Sequence, residues 1–445
     1  MAVNADRPIA FPEVSFVKHG FRAELLSVPD DPVTGAAPVH HPDGLLVVED
    51  GYVVAFDAWA TLADRFADIP IDHFPGKLIV PGFVDAHVHY PQTDRIAAHG
   101  EQLLQWLDRH IFPEEQRFAS PGHAAEVAAF FLDELLRNGT TSALVFATVE
   151  AASVDALFDA ALVRDMRVVS GKVLMDHGPE GLSDTVAAGR ADSEALIRRW
   201  RGRGRLGYAA TPRFVLTSSD AQLADAGALV AAHPDVLMHT HLAENAGEVA
   251  AVAGRFPDAA DYLDVYDRFG LVTDRSVFAH CIHLDDRALG RIGEAGSAAA
   301  FCPTSNLFLG SGLFDLDRAI RQGVTVGLGS DVGAGTTFSL LATMGEAYKV
   351  GQLRGSSLDP FRALHLATAG GARALGLHDR IGSLAVGQEA DFVVLDPGAT
   401  PLLARRTRGG SMAERLFALQ ILGDDRAIAH TYLMGRRAHT RQDLT

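Results

Sequence analysis

His87 and His89 are separated by a single residue at the end of an apolar segment that begins at Leu78. In a β-strand, residues i and i+2 point to the same face, so these two imidazoles can converge on one ion. Two histidines do not complete a catalytic metal centre, which takes three or four protein ligands and keeps one position open for water. The pair therefore predicts a metal site whose remaining ligands lie further along the chain.

Candidate ligands end two later apolar segments, at His241 and at Asp331. Together with His87 and His89 they supply three imidazoles and one carboxylate. Such a set leaves a divalent ion with net positive charge, which acidifies a bound water. Glu244 follows His241 by three residues and can reach the same place without ligating the ion. A carboxylate there suits a general acid and base that moves protons between water and substrate.

His239 is the alternative to this ligand set, because it shares a face of the predicted strand with His241. Direct contact with the ion and a supporting position behind the ligands both fit its place in the sequence. We leave it out of the predicted ligands.

The middle of the chain, residues 78–378, alternates between strand-like and helical segments, which is typical of a parallel sheet covered by helices. Eight candidate strands predict an α/β fold, a distorted (β/α)8 TIM barrel, whose catalytic groups gather at the C-terminal ends of the strands. The candidate strands are residues 82–89, 141–147, 167–175, 206–211, 236–241, 276–281, 298–302 and 325–329.

The two ends of the chain have a different texture, with short strand-like segments separated by proline, glycine and aspartate. Strands are predicted at residues 21–27, 44–49 and 51–56, and again at residues 387–396 and 428–435. Neither half-sheet can bury its own face, so we expect them to pair with each other. The prediction is a small β-sandwich domain assembled from residues 1–77 and 379–445, with the barrel inserted between them.

The composition limits the possible partners. The formal net charge of −17 over 445 residues repels phosphate backbones, so no nucleic-acid partner is expected. The first residues lack the pattern of a secretion signal, no apolar run of about 18 residues predicts a membrane span, and two cysteines exclude a disulfide framework. We expect a cytoplasmic protein with no membrane partner. The basic run at residues 198–205 is predicted to be a solvated loop.

Several motifs resemble those of the guanine deaminase family, within the amidohydrolase superfamily, over nearly the whole chain. The His-x-His pair is common to many hydrolases, whereas Pro91-Gln92 combined with Arg213-Phe214 is the specific part of the resemblance. The motifs are PGFVDAHVHYPQTD at 81–94, GEQLL at 100–104, PRF at 212–214, HLAEN at 241–245, FCPTSNL at 301–307 and SDVGAG at 330–335.

The resemblance implies one divalent metal per chain, zinc first and iron as the alternative, and free guanine as the substrate. The implied metal ligands are His87, His89, His241 and Asp331, and the implied substrate contacts are Gln92, Arg213, Phe214, His89 and Glu244. The residue types agree with these roles: guanidinium donors suit the purine O6, an amide both donates and accepts along a base edge, and a phenyl ring stacks on the base. A homodimer is also implied.

The implied reaction is attack of metal-bound hydroxide on C2 of guanine, protonation at N3 through Glu244, and loss of ammonia to leave xanthine. His280 is expected beside the attacking water or the charge that develops at C2. Asp331 is expected to ligate the metal and to take a proton from the water. Glu244, Asp331 and His280 are therefore the predicted catalytic residues.

Three other interpretations remain. A deaminase or hydrolase of another ring, such as an 8-oxopurine, a pterin or a triazine, would keep the metal ligands and change the base-edge contacts. A cyclic amidase would need a second metal, and Lys172 on the predicted third strand is the candidate for a carboxylated lysine, which bridges two metals in some amidohydrolases. A catalytically silent protein on the same scaffold would be expected to have lost ligands or Glu244, and none of these residues is missing.

Overall fold

The protein is described by a computed structural model that covers residues 18–100 and 102–442. The N-terminal residues in which no secretion signal is predicted lie outside these ranges. Across the described residues, none of the helices combines the length and the apolar character that crossing a membrane would need.

Four strands precede the barrel. β2 pairs antiparallel with both β1 and β3, and β4 runs parallel to β1. The sequence pattern predicts β1 to β3 but misses β4, because its apolar end is continuous with the barrel strand that follows Gly82. These strands are β1 (His19–Ser27), β2 (Val39–Glu49), β3 (Tyr52–Ala58) and β4 (Ile71–Pro81).

The middle of the chain forms the predicted barrel. Eight strands follow one another in parallel in the order β5-β6-β7-β9-β10-β11-β12-β13, and the short β8 extends the path of β7 and pairs with β9. The barrel strands are β5 (Phe83–His89), β6 (Thr140–Phe146), β7 (Arg167–Gly171), β8 (Val173–Leu174), β9 (Gly207–Pro212), β10 (Leu237–Leu242), β11 (Ser276–His280), β12 (Ala298–Phe301) and β13 (Thr325–Leu328).

Backbone hydrogen bonds just beyond β13 complete the barrel against β5. The Asp331 N–H donates to the carbonyl of His87 at 2.9 Å, and the His89 N–H donates to the carbonyl of Val332 at 2.9 Å. Gly329 approaches β5 so closely that a Cβ atom would stand 3.0 Å from the His87 carbonyl oxygen. A residue without a side chain is therefore required at the point where the barrel closes and brings Asp331 beside the two histidines.

Three C-terminal strands, β14 (Phe392–Leu395), β15 (Ile428–Leu433) and β16 (Arg436–Thr440), join the N-terminal strands in one seven-stranded sheet. β14 pairs antiparallel with β4, and the rings of Phe21, Phe392 and Tyr432 pack together on one face. The fold class is confirmed: a (β/α)8 barrel with a small β domain assembled from both ends of the chain. The division at residues 77/78 and 378/379 stays a prediction.

Helices cover the outside of the barrel, and serine side chains cap the starts of two of them. Ser120 accepts from the N–H of His123 at the start of one helix, and Ser219 accepts from the N–H of Gln222 at the start of another. The helices are α1 (Trp59–Leu62), α2 (Leu103–Trp106), α3 (Phe112–Glu115), α4 (Pro121–Arg137), α5 (Ala151–Arg164), α6 (Val186–Trp200), α7 (Asp220–Ala232), α8 (Ala246–Arg255), α9 (Tyr262–Arg268), α10 (Asp286–Glu294), α11 (Pro303–Phe308), α12 (Leu316–Arg321), α13 (Leu340–Leu353), α14 (Pro360–His365), α15 (Gly371–Ala374), α16 (Pro401–Arg406) and α17 (Met412–Leu422).

Buried arginines join the barrel to the terminal sheet. Arg167 on β7 pairs with Glu389, and Arg205 pairs with Glu389 at 2.8 Å and with Asp391 at 2.6 Å. The prediction of a solvated loop at residues 198–205 is wrong for Arg205, which is buried, and residues 198–200 belong to α6. A buried guanidinium is tolerated here because two carboxylates pair with it.

The connection between β5 and α4, residues 90–119, is helical over most of its described length. It contains α2, a π-helical stretch at Leu107–Ile111, and α3. Trp106, Leu103 and Leu107 are buried and line the cavity at the C-terminal ends of the barrel strands. We call residues 90–119 the covering segment, because this stretch closes over that cavity.

Candidate active site

Four side chains converge at the ends of β5 and β10 and just beyond β13. The Nε2 atom of His89 lies 3.2 Å from the Nε2 atoms of both His87 and His241. Asp331 Oδ1 lies 3.2 Å from His87 Nε2 and 3.4 Å from His89 Nε2. Ligand atoms about 2.0–2.1 Å from a tetrahedral ion stand about 3.3 Å apart. The structure therefore brings the four predicted ligands to the spacing of a metal site.

The hydrogen bonds and charges of these histidines fit a cation. His241 Nδ1 donates to the carbonyl oxygen of Arg213 at 2.8 Å, so its Nε2 atom carries a lone pair. Burial, together with the neighbouring histidines, lowers the pKa of His87, His89 and His241 well below the usual value. Imidazole nitrogens that face one another with their lone pairs repel, and a cation between them removes that repulsion; this donor set suits zinc.

His239 and Lys172, the two further metal-binding candidates in the sequence, lie away from the four predicted ligand atoms. His239 Nε2 lies 2.7 Å from His87 Nδ1, the ring nitrogen opposite the one that faces the ligand cluster. It therefore orients His87 from behind. Lys172 Nζ pairs with Asp184 at 2.6 Å and donates to the carbonyl of Val149, so this lysine is engaged in a separate ion pair.

Glu244 and His280 lie close to each other beside the predicted ligands. His280 Nε2 lies 3.4 Å from Glu244 Oε2 and 3.8 Å from Asp331 Oδ2. Burial raises the pKa of Glu244 to about 7, although the nearby His280 opposes the rise. Burial also disfavours protonation of His280, but the carboxylates of Glu244 and Asp331 outweigh it and raise the pKa of that imidazole. Groups that titrate near neutrality are suited to general acid and base catalysis.

Four residues at or just beyond the ends of the site strands have left-handed backbone conformations, with φ of 50° at Ala243, 72° at His280, 54° at Cys281 and 51° at Asp331. Non-glycine residues adopt this region rarely and at a cost in energy. The local strain is offset by the packed barrel around it, and it turns the side chains of His280 and Asp331 into the cavity that they line.

Three of the predicted substrate contacts line the same cavity as His89, His241 and Asp331. Gln92, Arg213 and Phe214 are buried there. Leu103, Trp106, Leu107 and Ala334 add apolar surface, while His89, His241, Glu244, His280 and Asp331 form the polar floor. A cavity that combines apolar side chains with several polar groups suits a small heterocyclic ligand.

Glu115 is a functional candidate that the sequence pattern does not predict. One of its carboxylate oxygens accepts from Arg213 Nη1 at 2.6 Å, and the other accepts from Gln92 Nε2 at 3.3 Å. Its sequence signal is an acidic pair, Glu114-Glu115, which is equally typical of an exposed helical turn. The burial of both residues is apparent only from the packing of the covering segment.

Two more carboxylates that the sequence pattern does not predict hold the strand ends in place. Glu248 Oε2 accepts from the backbone N–H of Glu244 at 2.9 Å and from that of Asn245 at 3.2 Å, and the second bond is part of the capping box that starts α8. Asp85 accepts from the backbone N–H groups of His87 at 3.2 Å and Ser330 at 3.0 Å. Asn245-x-x-Glu248 is a readable capping motif, whereas Asp85 looks from the sequence like an ordinary residue of a buried strand.

Comparison with known proteins agrees with this geometry. A model of the Amidohydrolase family matches residues 78–438. Guanine deaminase of Escherichia coli (strain K12) is 51% identical over 402 residues, which cover 90% of this chain and 92% of that protein. The chain belongs to the amidohydrolase family and, within it, to the guanine deaminases.

Solved structures give the same assignment. The structure of E. coli guanine deaminase superposes with a TM-score of 0.93 at 48% identity, covering 95% of this chain and all of that one (100%). Guanine deaminase from C. acetobutylicum, with guanine bound in its active site, superposes with a TM-score of 0.87 at 28% identity, covering 94% of this chain and 99% of that one.

Proposed function

We propose that this protein is a guanine deaminase, which hydrolyses free guanine to xanthine and ammonia. One observation carries the proposal: three of the proposed ligands line a single cavity with Glu244 and the base-edge residues. These ligands are His89, His241 and Asp331, and the base-edge residues are Gln92 and Arg213. A hydrolytic site needs a polarised water on one side of the reacting carbon and groups that orient the ring on the other. Residues suited to each of these two tasks line the same cavity.

The recognition side of the cavity fits the edge of guanine. Arg213 offers guanidinium donors for the O6 atom, and the amide of Gln92 can donate and accept next to it. Phe214 provides a ring against which the base can stack. We propose that these three residues, with His89 and Glu244, orient the purine so that C2 faces the ligand cluster.

His87, His89, His241 and Asp331 are proposed to hold one divalent ion, zinc by preference, although their donor types also suit iron. Such an ion, when bound, lowers the pKa of a coordinated water toward neutrality. Four pairs of these ligand atoms lie 3.2–3.4 Å apart: His89 with His87, His89 with His241, and Asp331 with His87 and with His89. Elemental analysis of protein purified without added metal tests both the identity and the proposed stoichiometry of one.

Glu244 is proposed to carry the proton between water and substrate. One water proton passes through its carboxylate to N3 of guanine as the water oxygen bonds to C2. The second proton then goes to the amino group, the bond from C2 to that nitrogen breaks, and ammonia leaves xanthine behind. Asp331 and His280 lie close enough to Glu244 to accept or stabilise charge during these transfers.

We further propose a cytoplasmic homodimer, with water and guanine as the small molecules it acts on. The cytoplasmic location is supported by the two cysteines, Cys281 and Cys302, which are both free and buried. The dimer is supported by the family resemblance. Light scattering on the purified protein tests the dimer: a mass near that of one 47.4 kDa chain would contradict it.

The decisive test of the activity is direct. Purified protein that holds its metal is incubated with guanine, and ammonia and xanthine are followed together. Equal amounts of both products are expected. A panel with an 8-oxopurine, a pterin and a triazine serves as the comparison, and guanine is expected to give the highest kcat/KM. If no ammonia is released from guanine, the proposal is wrong.

A further inference from the structure

Glu115 connects the two base-edge residues of the cavity. Its carboxylate accepts from Arg213 Nη1 at 2.6 Å and from Gln92 Nε2 at 3.3 Å. Arg213 and Glu115 are 2% and 1% exposed, so the pair is almost completely removed from solvent. A buried guanidinium without a counterion is costly, which means that the position of Arg213 depends on this carboxylate.

Helix α3 supplies a second contact to the same arginine. The guanidinium carbon of Arg213 lies 5.2 Å from the centre of the Phe112 ring. Phe112 and Glu115 are three residues apart and therefore share one face of α3. This face presents an aromatic ring and a carboxylate to one guanidinium, an arrangement that favours arginine over lysine.

The same carboxylate fixes the orientation of the Gln92 amide. A carboxylate can only accept, so the Gln92 nitrogen must face Glu115. The Gln92 oxygen accepts from the backbone N–H of Gly333 at 3.2 Å, which agrees with that orientation. The amide keeps one further N–H and one further lone pair, and their directions are set by Glu115 and Gly333.

We propose that Glu115 is the positioning residue for purine recognition, acting through Arg213 and Gln92 rather than on the substrate itself. This proposal rests on the proposed guanine deaminase activity. It predicts that the charge of Glu115 contributes to guanine affinity, whereas the proton-transfer residues and the metal ligands work without it. Because Glu115 lies on the covering segment, the folding of that segment and the recognition of the base edge depend on each other.

Glu114 is a matched control. It stands next to Glu115 on α3 and is also buried, but its carboxylate accepts from Arg95 Nε at 2.7 Å and pairs with Arg117. Replacing either glutamate by glutamine removes one buried charge from the same helix. Only Glu115→Gln removes it from the neighbourhood of Arg213 and Gln92.

The experiment compares four variants with the wild-type protein: E115Q, E114Q, R213Q and the double variant E115Q/R213Q. E115Q is expected to raise KM for guanine by about 10- to 100-fold, with kcat changed by less than about 3-fold and metal content unchanged. E114Q is expected to leave KM within about 3-fold of wild type. In the R213Q background, E115Q should add only the effect of releasing Gln92, so the combined rise in KM should be smaller than the product of the two single effects.

The possible outcomes distinguish failure of the positioning role from failure of the proposed guanine deaminase activity. If the wild-type protein releases no ammonia from guanine, the proposed function fails first. If the wild type is active and E115Q and E114Q change KM equally, or if E115Q and R213Q are additive, the positioning role is refuted. If E115Q does not fold, E115D takes the same test: it keeps the charge but withdraws the carboxylate from Arg213 and Gln92 by the length of one methylene group, so KM should rise with kcat and metal content unchanged, and an unchanged KM would refute the positioning role.

Discussion

The carbonyl oxygen of Arg213 accepts the Nδ1–H of His241 at 2.8 Å. One residue thus lines the cavity with its side chain and holds a proposed metal ligand with its backbone. The same carbonyl also accepts from Thr240 Oγ1 at 3.2 Å. Orientation of a ligating imidazole by the group behind it sets both its tautomer and its basicity. The turn after β9 therefore positions both a proposed base-contact residue and a proposed metal ligand.

Because of this arrangement, we expect Arg213→Gln to weaken guanine binding and to leave metal binding unchanged. The substitution removes the guanidinium but keeps the backbone carbonyl, so the metal content should match that of the wild type. KM for guanine should rise by about 10- to 100-fold, since hydrogen bonds from charged groups are among the stronger ones. Steady-state kinetics and elemental analysis on the same preparation check both parts. Loss of metal from this variant would show that the side chain itself supports His241.

Glu244→Gln tests the proton carrier. The amide is nearly isosteric with the carboxylate and cannot take a proton from water, so kcat should fall by at least about 100-fold. Metal content should stay unchanged, because Glu244 is not among the predicted ligands. Single-turnover assays with guanine, together with metal analysis, measure the two quantities. Turnover close to wild type would reject the role of Glu244.

The pH profile depends on the environment of the same carboxylate. Burial raises the pKa of Glu244 to about 7. The carboxylate form, which accepts the proton from water, dominates above that pH, so kcat/KM should decline as the pH falls through about 7. Ser311 Oγ donates to Glu244 Oε1 at 3.2 Å and favours the ionised form. Ser311→Ala should raise the pKa and move the acidic limb of the profile to higher pH; a shift to lower pH would contradict this.

Much of the barrel and the central chemistry could be predicted from the sequence for one physical reason. Buried parallel strands are continuous apolar runs, and the residues that follow them must lie at one rim of the barrel. His87, His241 and Asp331 could therefore be placed together without coordinates. β4 could not be predicted, because Gly82 alone separates it from β5 and stands within a continuous apolar run.

The supporting carboxylates could not be predicted in the same way. Glu115 lies on the covering segment, whose short helical turns have weak periodicity, and its neighbour Glu114 has the same side chain and a different partner. Whether an acidic residue faces solvent or a buried arginine is decided by tertiary packing. Asp85 likewise gains its role from Ser330, which is 245 residues away in the chain.

His239→Ala distinguishes a supporting histidine from a ligand. His239 Nε2 lies 2.7 Å from His87 Nδ1, so its removal should loosen the orientation of a ligating ring without removing a ligand. We expect one metal per chain to remain after purification, with an affinity about 10- to 100-fold weaker in competition with a chelator. His241→Ala is the matched comparison, because it deletes a predicted ligand from the same strand, and it should not retain metal under the same competition. Equal loss of metal from both variants would place His239 among the ligands, and an unchanged affinity in His239→Ala would show that His87 needs no support from behind.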